Sequence, residues 1–265
     1  MVPFSSLIVA SAMVTAALAA PTENLTKRSN SKKGAAYNDA SLVGLVTDAS
    51  WAYNWGSYGG NLPSGVEFVP MLWGSNTNGW DNNVQAALTS GSKHILGFNE
   101  PDLNSQSNID PSTAAALYKQ YITPYQDQAE LVTPAVTNGG APMGLTWMEQ
   151  YLEACNGECG QTAMAIHWYA DAAYTDLESY ITQAYNLAAS YGIYKIWITE
   201  FQLTGVSDND QADFINNIIP WLDSTDYVER YSYFFVADGY LISGSSLSTI
   251  GSAYNSADSY HLKKV

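Results

Sequence analysis

His94-Ile95-Leu96-Gly97-Phe98-Asn99-Glu100-Pro101-Asp102 opens as a short apolar run and closes on a carboxylate followed by proline. Proline has no N–H to give to a ladder, so the run reads as a strand that stops at Glu100. Because it is apolar on both faces, it reads as a strand covered on both sides, as in a parallel sheet. Lys195-Ile196-Trp197-Ile198-Thr199-Glu200-Phe201 has the same build and also closes on a glutamate. Working outward, runs of this kind recur along the chain at Gly34-Tyr37, Ser50-Trp55, Phe68-Trp73, His94-Asn99, Leu131-Val136, Ala163-Tyr169, Lys195-Thr199 and Tyr231-Val236.

Helical patterns separate most of these runs. From Thr175 to Ser190, the residues Leu177, Tyr180, Ile181, Ala184, Leu187 and Ala188 fall on one face at helical spacing, and Gly192 follows as a stop. Asp110-Pro111 is a helix start, a capping carboxylate before a first-turn proline. Asp210 to Leu222 places Phe214, Ile215, Ile218, Ile219 and Leu222 on one side. Pro124 and Pro220 are expected near helix ends. Ser57 to Val66 is rich in Gly and Pro, so the helix between the second and third strands is expected to be missing or reduced to a turn. Alternating strands and helices fit a closed barrel or an open doubly wound sheet. The chain has no Gly-rich phosphate loop of the kind an open nucleotide-binding sheet carries. The expected fold class is therefore α/β, a single (β/α)8 TIM barrel with one reduced helix.

The ends and the charge bound the function. Ser6 to Leu18 is an uncharged run of apolar and small residues ending in Ala17-Leu18-Ala19, the small-x-small pattern of a signal-peptidase site. The expected organisation is a signal peptide over residues 1–19, a pro-segment over 20–28 ending at the dibasic Lys27-Arg28, and one catalytic domain over 29–265. Asn24-Leu25-Thr26, a glycosylation sequon, falls inside the pro-segment. The net charge is −15; losing residues 1–28 removes Glu23, Lys27 and Arg28 and leaves −16. Such a surface repels nucleic acid and anionic lipid, so neither nucleic acid nor membrane is an expected partner. A neutral substrate and an extracellular or cell-wall location fit, and a monomer is expected. Cys155 and Cys159, the chain's two cysteines, flank Asn156-Gly157 and read as a short-loop disulfide in an oxidising compartment.

Strands four and seven stand three steps apart around a barrel of eight, so Glu100 and Glu200 would point into one cleft at the carboxyl ends of the strands. Paired carboxylates flanking a bond are the equipment of glycoside hydrolysis, one giving a proton and the other acting ionised. The competing reading, in which each glutamate caps a helix or pairs with a surface cation, suits one strand-end glutamate better than two. With ten Lys and Arg against twenty-five acidic residues, cations to pair with are also scarce.

Phe68-Val69-Pro70-Met71-Leu72-Trp73-Gly74, Leu96-Gly97-Phe98-Asn99-Glu100-Pro101-Asp102, Ile166-His167-Trp168-Tyr169 and Trp197-Ile198-Thr199-Glu200-Phe201 resemble segments of glycoside hydrolase family 128. Its members are fungal and bacterial β-1,3-glucanases related to the alkali-sensitive linkage proteins of fungi. The likeness covers about Ala35 to Leu262. It implies retaining hydrolysis, with Glu100 as acid/base, Glu200 as nucleophile and Asn99 bonding the sugar 2-hydroxyl.

Eight Trp and nineteen Tyr supply stacking planes for sugar rings. Trp55, Trp73, His167 and Tyr169 are the expected cleft contacts, with Asn54 and Gln202 as polar ones; packing between helices and barrel competes for each aromatic. Other chemistries fare worse. His94, His167 and His261 lie at no metal-binding spacing, Ser243-Gly244-Ser245 forms no nucleophile elbow, and both thiols sit in one short loop. No metal and no cofactor are expected. The expected activity is a secreted endo-β-1,3-glucanase acting on fungal-type wall glucan. The alternatives are a glucan-binding protein without turnover and a hydrolase of another β-linked glucan.

Overall fold

The computed structural model describes residues 31–257. The leader, the dibasic pair, the sequon and His261 lie outside the described residues.

The strands are β1 (Gly34–Ala36), β2 (Trp51–Tyr53), β3 (Glu67–Phe68), β4 (His94–Leu96), β5 (Glu130–Val136), β6 (Ala163–Ala170), β7 (Ile196–Leu203) and β8 (Val228–Tyr233), followed by the short pair β9 (Ile242–Ser243) and β10 (Ser246–Leu247). The helices are α1 (Trp80–Thr89), α2 (Pro111–Tyr121), α3 (Leu145–Cys155), α4 (Tyr174–Ser190), α5 (Asp208–Ser224) and α6 (Thr249–Ser256). All eight expected runs carry or adjoin a strand of the expected order.

The strands form two parallel sheets rather than one ladder. β4-β5-β6-β7-β8 make a curled five-stranded sheet, and β1-β2-β3 make a separate three-stranded one. Isolated parallel bridges link the sheets at both sides, Lys33 to Tyr231 and Tyr37 to Val236 on one, Met71 to Leu96 on the other. The ladder thins where the third run meets Pro70, which has no donor to give; β3 is regular over Glu67–Phe68 alone.

The connections follow from local chemistry. Ala40–Leu45 between β1 and β2 is a 3-10 helix, capped by the Asp39 side chain on Ser41 N, and the Gly- and Pro-rich segment between β2 and β3 carries no helix. Asp110 caps α2 by accepting from Thr113 N, with Pro111 in the first turn. On α4, Leu177, Ile181, Ala184 and Ala188 are buried, and the Gly192 φ of 79° ends the helix. Pro220 departs from expectation, lying inside α5 with a further turn after it. The carbonyl that this proline leaves without an N–H belongs to exposed Asn216, where water can satisfy it.

The apolar residues separate into two cores. An outer one lies between the strands and the helices; an inner one, enclosed by the strands, includes Trp51, Tyr53, Met71, Leu96, Ala135, Ala165 and Trp197. Gly97 is demanded by the close passage of β5, since a Cβ there would stand 2.6 Å from Pro134 N and 2.8 Å from Thr133 C. At the amino-terminal end of the inner core, Arg230 stacks over Trp197 at 4.7 Å and donates to Glu67 at 2.6 Å, while His94 Nδ1 lies 2.9 Å from the same carboxylate. A Cys155–Cys159 disulfide joins the end of α3 to the following loop, with Cα atoms 5.4 Å apart and Asn156 and Gly157 both at positive φ. Among the described residues, no helix is long and apolar enough to cross a membrane.

Candidate active site

The carboxyl ends of the strands open into a cavity of about 770 Å³, lined by Asn38, Trp55, Trp73, Asn99, Glu100, Leu103, Gln106, Thr137, Asn138, Gly139, Met143, Tyr169, Glu200, Phe234 and Phe235. Both glutamates are on its wall and are themselves buried, Glu100 at 7% and Glu200 at 5% exposure.

Glu100 follows β4. Its N–H donates to Ala135 O and its φ is 41°. Trp55 has a φ of 56°. Left-handed backbone at a bulky residue costs energy and persists where surrounding contacts hold it. Here both residues are held by polar contacts in the same site.

Glu200 lies inside β7, not at its end, because the strand runs on to Leu203. What turns the side chain inward is a bulge. β6 pairs Ile166 with Ile198 and then His167 with Glu200, and β8 skips from Ile198 to Phe201. The extra residue breaks the alternation, so Thr199 and Glu200 both make contacts on the inner side. Three donors converge on Glu200. Trp55 Nε1 donates to Oε1 at 2.7 Å, the Tyr53 hydroxyl reaches Oε1 at 3.4 Å, and the Tyr169 hydroxyl donates to Oε2 at 2.5 Å. Burial, then the charge of Glu200, pushes the pKa of both Tyr53 and Tyr169 well up, so both phenols remain donors.

His167 is fully buried between the two carboxylates. Its Nδ1 lies 2.8 Å from Glu100 Oε1, and its Nε2 lies 2.9 Å from Thr199 Oγ1 and 3.5 Å from Glu200 Oε1. Burial opposes its charged form, but the charge of Glu200, the hydrogen bond and charge of Glu100 and the charge of Asp102 outweigh it and raise its pKa. One ligand atom from each of Glu100, His167 and Glu200 falls within a common 4.8 Å, so the two carboxylates approach each other to within that distance.

The structure brings Glu100, Glu200, Asn99, Trp55, Trp73 and Tyr169 to the cavity, with Trp73 38% exposed. Three expected contacts do not reach it. His167 sits behind the wall as the bridge just described. Asn54 is out of phase with Tyr53 and Trp55 on β2 and its following residues; its side chain is occupied by Tyr58 O and Gly56 N. Gln202 turns its side chain to Tyr233. Sequence reading passed over Tyr53 and Thr199. Strict alternation would have found Tyr53, since Trp51, Tyr53 and Trp55 share a face, but nothing in the sequence marks the bulge that brings Thr199 in.

Two buried acids, a neutral polar and aromatic cleft, and parallel strands that converge on it define a glycosidase-type site. Residues 34–254 match the family described as glycosyl hydrolase catalytic core, and the chain belongs to that family. Solved structures that this chain resembles are family 128 enzymes, in line with the sequence resemblance. A curdlan-specific exo-β-1,3-glucanase from Blastomyces gilchristii is 40% identical, with TM-score 0.82 over 87% of this chain and 99% of that one. An endo-β-1,3-glucanase from Amycolatopsis mediterranei, solved with laminaritriose, is 30% identical, with TM-score 0.73 over 86% and 99%. Alkali-sensitive linkage protein 1 of Schizosaccharomyces pombe is 34% identical over 77% of this chain, which spans 40% of that protein's length.

Proposed function

We propose that this chain is a secreted, retaining β-1,3-glucanase acting on fungal-type wall glucan. The observation that carries the reading is the carboxylate pair. The nearest oxygens of Glu100 and Glu200 lie within 4.8 Å, which fits the separation of about 5–5.5 Å between the carboxyl groups of retaining enzymes better than the roughly 6.5–9.5 Å of inverting ones. Glu200 accepts hydrogen bonds on both oxygens, which suits the nucleophile. Its oxygen bonds to the anomeric carbon as the bond to the leaving oxygen breaks, and the Glu100 proton goes to that oxygen. Water then attacks the glycosyl ester, returning a proton to Glu100 and freeing Glu200. Asn99 Oδ1 is buried without a partner, a ready acceptor for a sugar hydroxyl. Trp55, Trp73, Tyr169, Phe234 and Phe235 offer the apolar planes that sugar rings need.

The two sheets are read as arcs of one (β/α)8 barrel, supported by the bridges that join them on either side. Export rests on the Ala17-Leu18-Ala19 and Lys27-Arg28 signals, and sequencing the amino terminus of extracellular protein tests it. Endo action is the first reading, in keeping with the Amycolatopsis relative. Exo action is the second, because the Blastomyces relative at 40% identity is an exo-enzyme. Products from linear β-1,3-glucan decide both points. A spread of oligosaccharides is expected for endo action and one small product for exo action; no release of reducing ends would sink the hydrolase reading.

A further inference from the structure

Asp102, two residues beyond Glu100, acts on His167 through its charge but sends its hydrogen bonds elsewhere. It gathers instead the two ends of the segment that follows β5. Thr137 N donates to both of its oxygens at 3.2 and 3.1 Å, the Thr137 hydroxyl donates at 2.6 Å, and Gly144 N donates at 2.8 Å. Loop 137–144 is therefore closed on a single carboxylate. The Tyr180 hydroxyl fixes Thr137 O at 2.9 Å from outside. Within the loop, Asn138 Nδ2 donates to Tyr169 O at 3.0 Å and Asn138 Oδ1 accepts from Tyr169 N at 3.1 Å. Gly144 has a φ of 60°, and a Cβ there would meet Gly139 O at 2.2 Å, so the loop closes on its own backbone. Its inner residues Asn138, Gly139 and Met143 line the cavity.

Which part of the substrate this wall meets follows from the reaction, and here the inference rests on the roles proposed above. The leaving sugar departs on the side away from the nucleophile, and the proton donor must touch its oxygen. Glu200 is held by Trp55 from the β2 side and Tyr169 from β6. Leu103 N donates to Glu100 O at 3.1 Å and Glu100 N donates to Ala135 O at 2.8 Å, just before the Asp102-bound loop, so Leu103 and the start of that loop adjoin Glu100, while Asn138 ties the loop to Tyr169 as well. We propose that Asp102 is a positioning residue for the leaving-group half of the cleft, fixing loop 137–144 as the wall that holds the departing glucan.

The test compares two substrates in the full-length secreted protein. Laminaripentaose needs its leaving sugars held; an aryl β-laminaribioside presents the same sugars to Glu200 with a leaving group that is not a glucan. With Asp102→Ala, kcat/KM on laminaripentaose should fall about 30-fold, mostly through KM, and by at least about ten times more than on the aryl substrate. Met143→Ala, which leaves the clamp intact, should show the same bias more weakly, and it carries the test if the Asp102 variant does not fold. Asp102→Asn, which keeps an acceptor, should recover part of the loss. Equal losses on both substrates, or none on either, would overturn the assignment while leaving the hydrolase reading intact. An unmodified protein that cleaves neither substrate would end both.

Discussion

His167 Nδ1 lies 2.8 Å from Glu100 Oε1, deep enough that the imidazole has no exposed surface. Its other nitrogen faces Thr199 and Glu200, so one ring stands between the two acids. Its pKa is raised above the ordinary 6.5 because the two glutamates outweigh its burial. A group whose folded pKa is raised stabilises fully below its unfolded pKa, and the contribution is lost as pH climbs through the folded value. Stability should therefore decline on the alkaline side of about pH 6.5. Denaturant midpoints of the unmodified protein and of His167→Gln, measured at about pH 5.5 and about pH 9, should differ more at the lower pH. A difference that stays constant, or grows with pH, would exclude a charged His167.

The 2.5 Å hydrogen bond from Tyr169 to Glu200 Oε2 helps to orient the carboxylate proposed as the nucleophile. Tyr169→Phe keeps the ring and deletes that donor. Its kcat should fall about 10- to 100-fold, because the contact fixes the proposed nucleophile and a charged hydrogen bond is worth about 1.5–3 kcal/mol. Steady-state kinetics on a β-1,3-glucan oligosaccharide check this, and a kcat within a factor of about two of the unmodified enzyme would remove Tyr169 from the catalytic arrangement.

These two side chains show where sequence reading succeeds and where it stops. The inward placing of Tyr169 follows from alternation along β6, with Trp168 turned outward onto Phe214. The strands were legible because runs buried on both faces are mostly apolar, with few polar residues among them. Glu100 was legible because proline follows it. His167 was found as a residue but not as a bridge, since its role depends on the bulge at Thr199–Glu200, and a bulge comes from pairing between strands distant in sequence. Asn54 and Gln202 were drawn to the cavity by their polarity and position at strand ends, whereas their side chains serve a turn and a neighbouring tyrosine. The Asp102 clamp was invisible for the same reason as the bulge: its partners are 35 and 42 residues away.

At the opposite end of the strands, Glu67 is held by burial, which opposes its charge, and by His94, Arg230 and Lys93 N, which prevail and lower its pKa from 4.5 to about 2. A depressed carboxylate stabilises above its unfolded pKa, and the contribution is lost as pH falls through the folded value. The difference amounts to about 3 kcal/mol. Unfolding followed between pH 4.5 and about 2 should show a steep loss of stability. Glu67→Gln should be less stable at neutral pH, because Arg230 loses its partner, and should show a shallower slope across that window. An unchanged slope would mean that other carboxylates govern acid unfolding.

The assignment of roles to Glu100 and Glu200 makes the sharpest demand. Removing either side chain should cost several orders of magnitude on glucan, but the two losses should differ in kind. An aryl glycoside with a good leaving group needs no proton, so with Glu100→Ala its first step should survive. Azide should then speed the second step by attacking the glycosyl-enzyme and give a β-configured glycosyl azide. With Glu200→Ala no glycosyl-enzyme can form; azide occupies the vacated space, attacks directly and gives the α-configured product. For the unmodified enzyme, NMR of the first sugar released should show the β-anomer before mutarotation, because two displacements restore the starting configuration. An initial α-anomer would make the enzyme inverting. It would also require a water to fit between sugar and base, where Glu100 and Glu200 now leave at most 4.8 Å between their nearest oxygens.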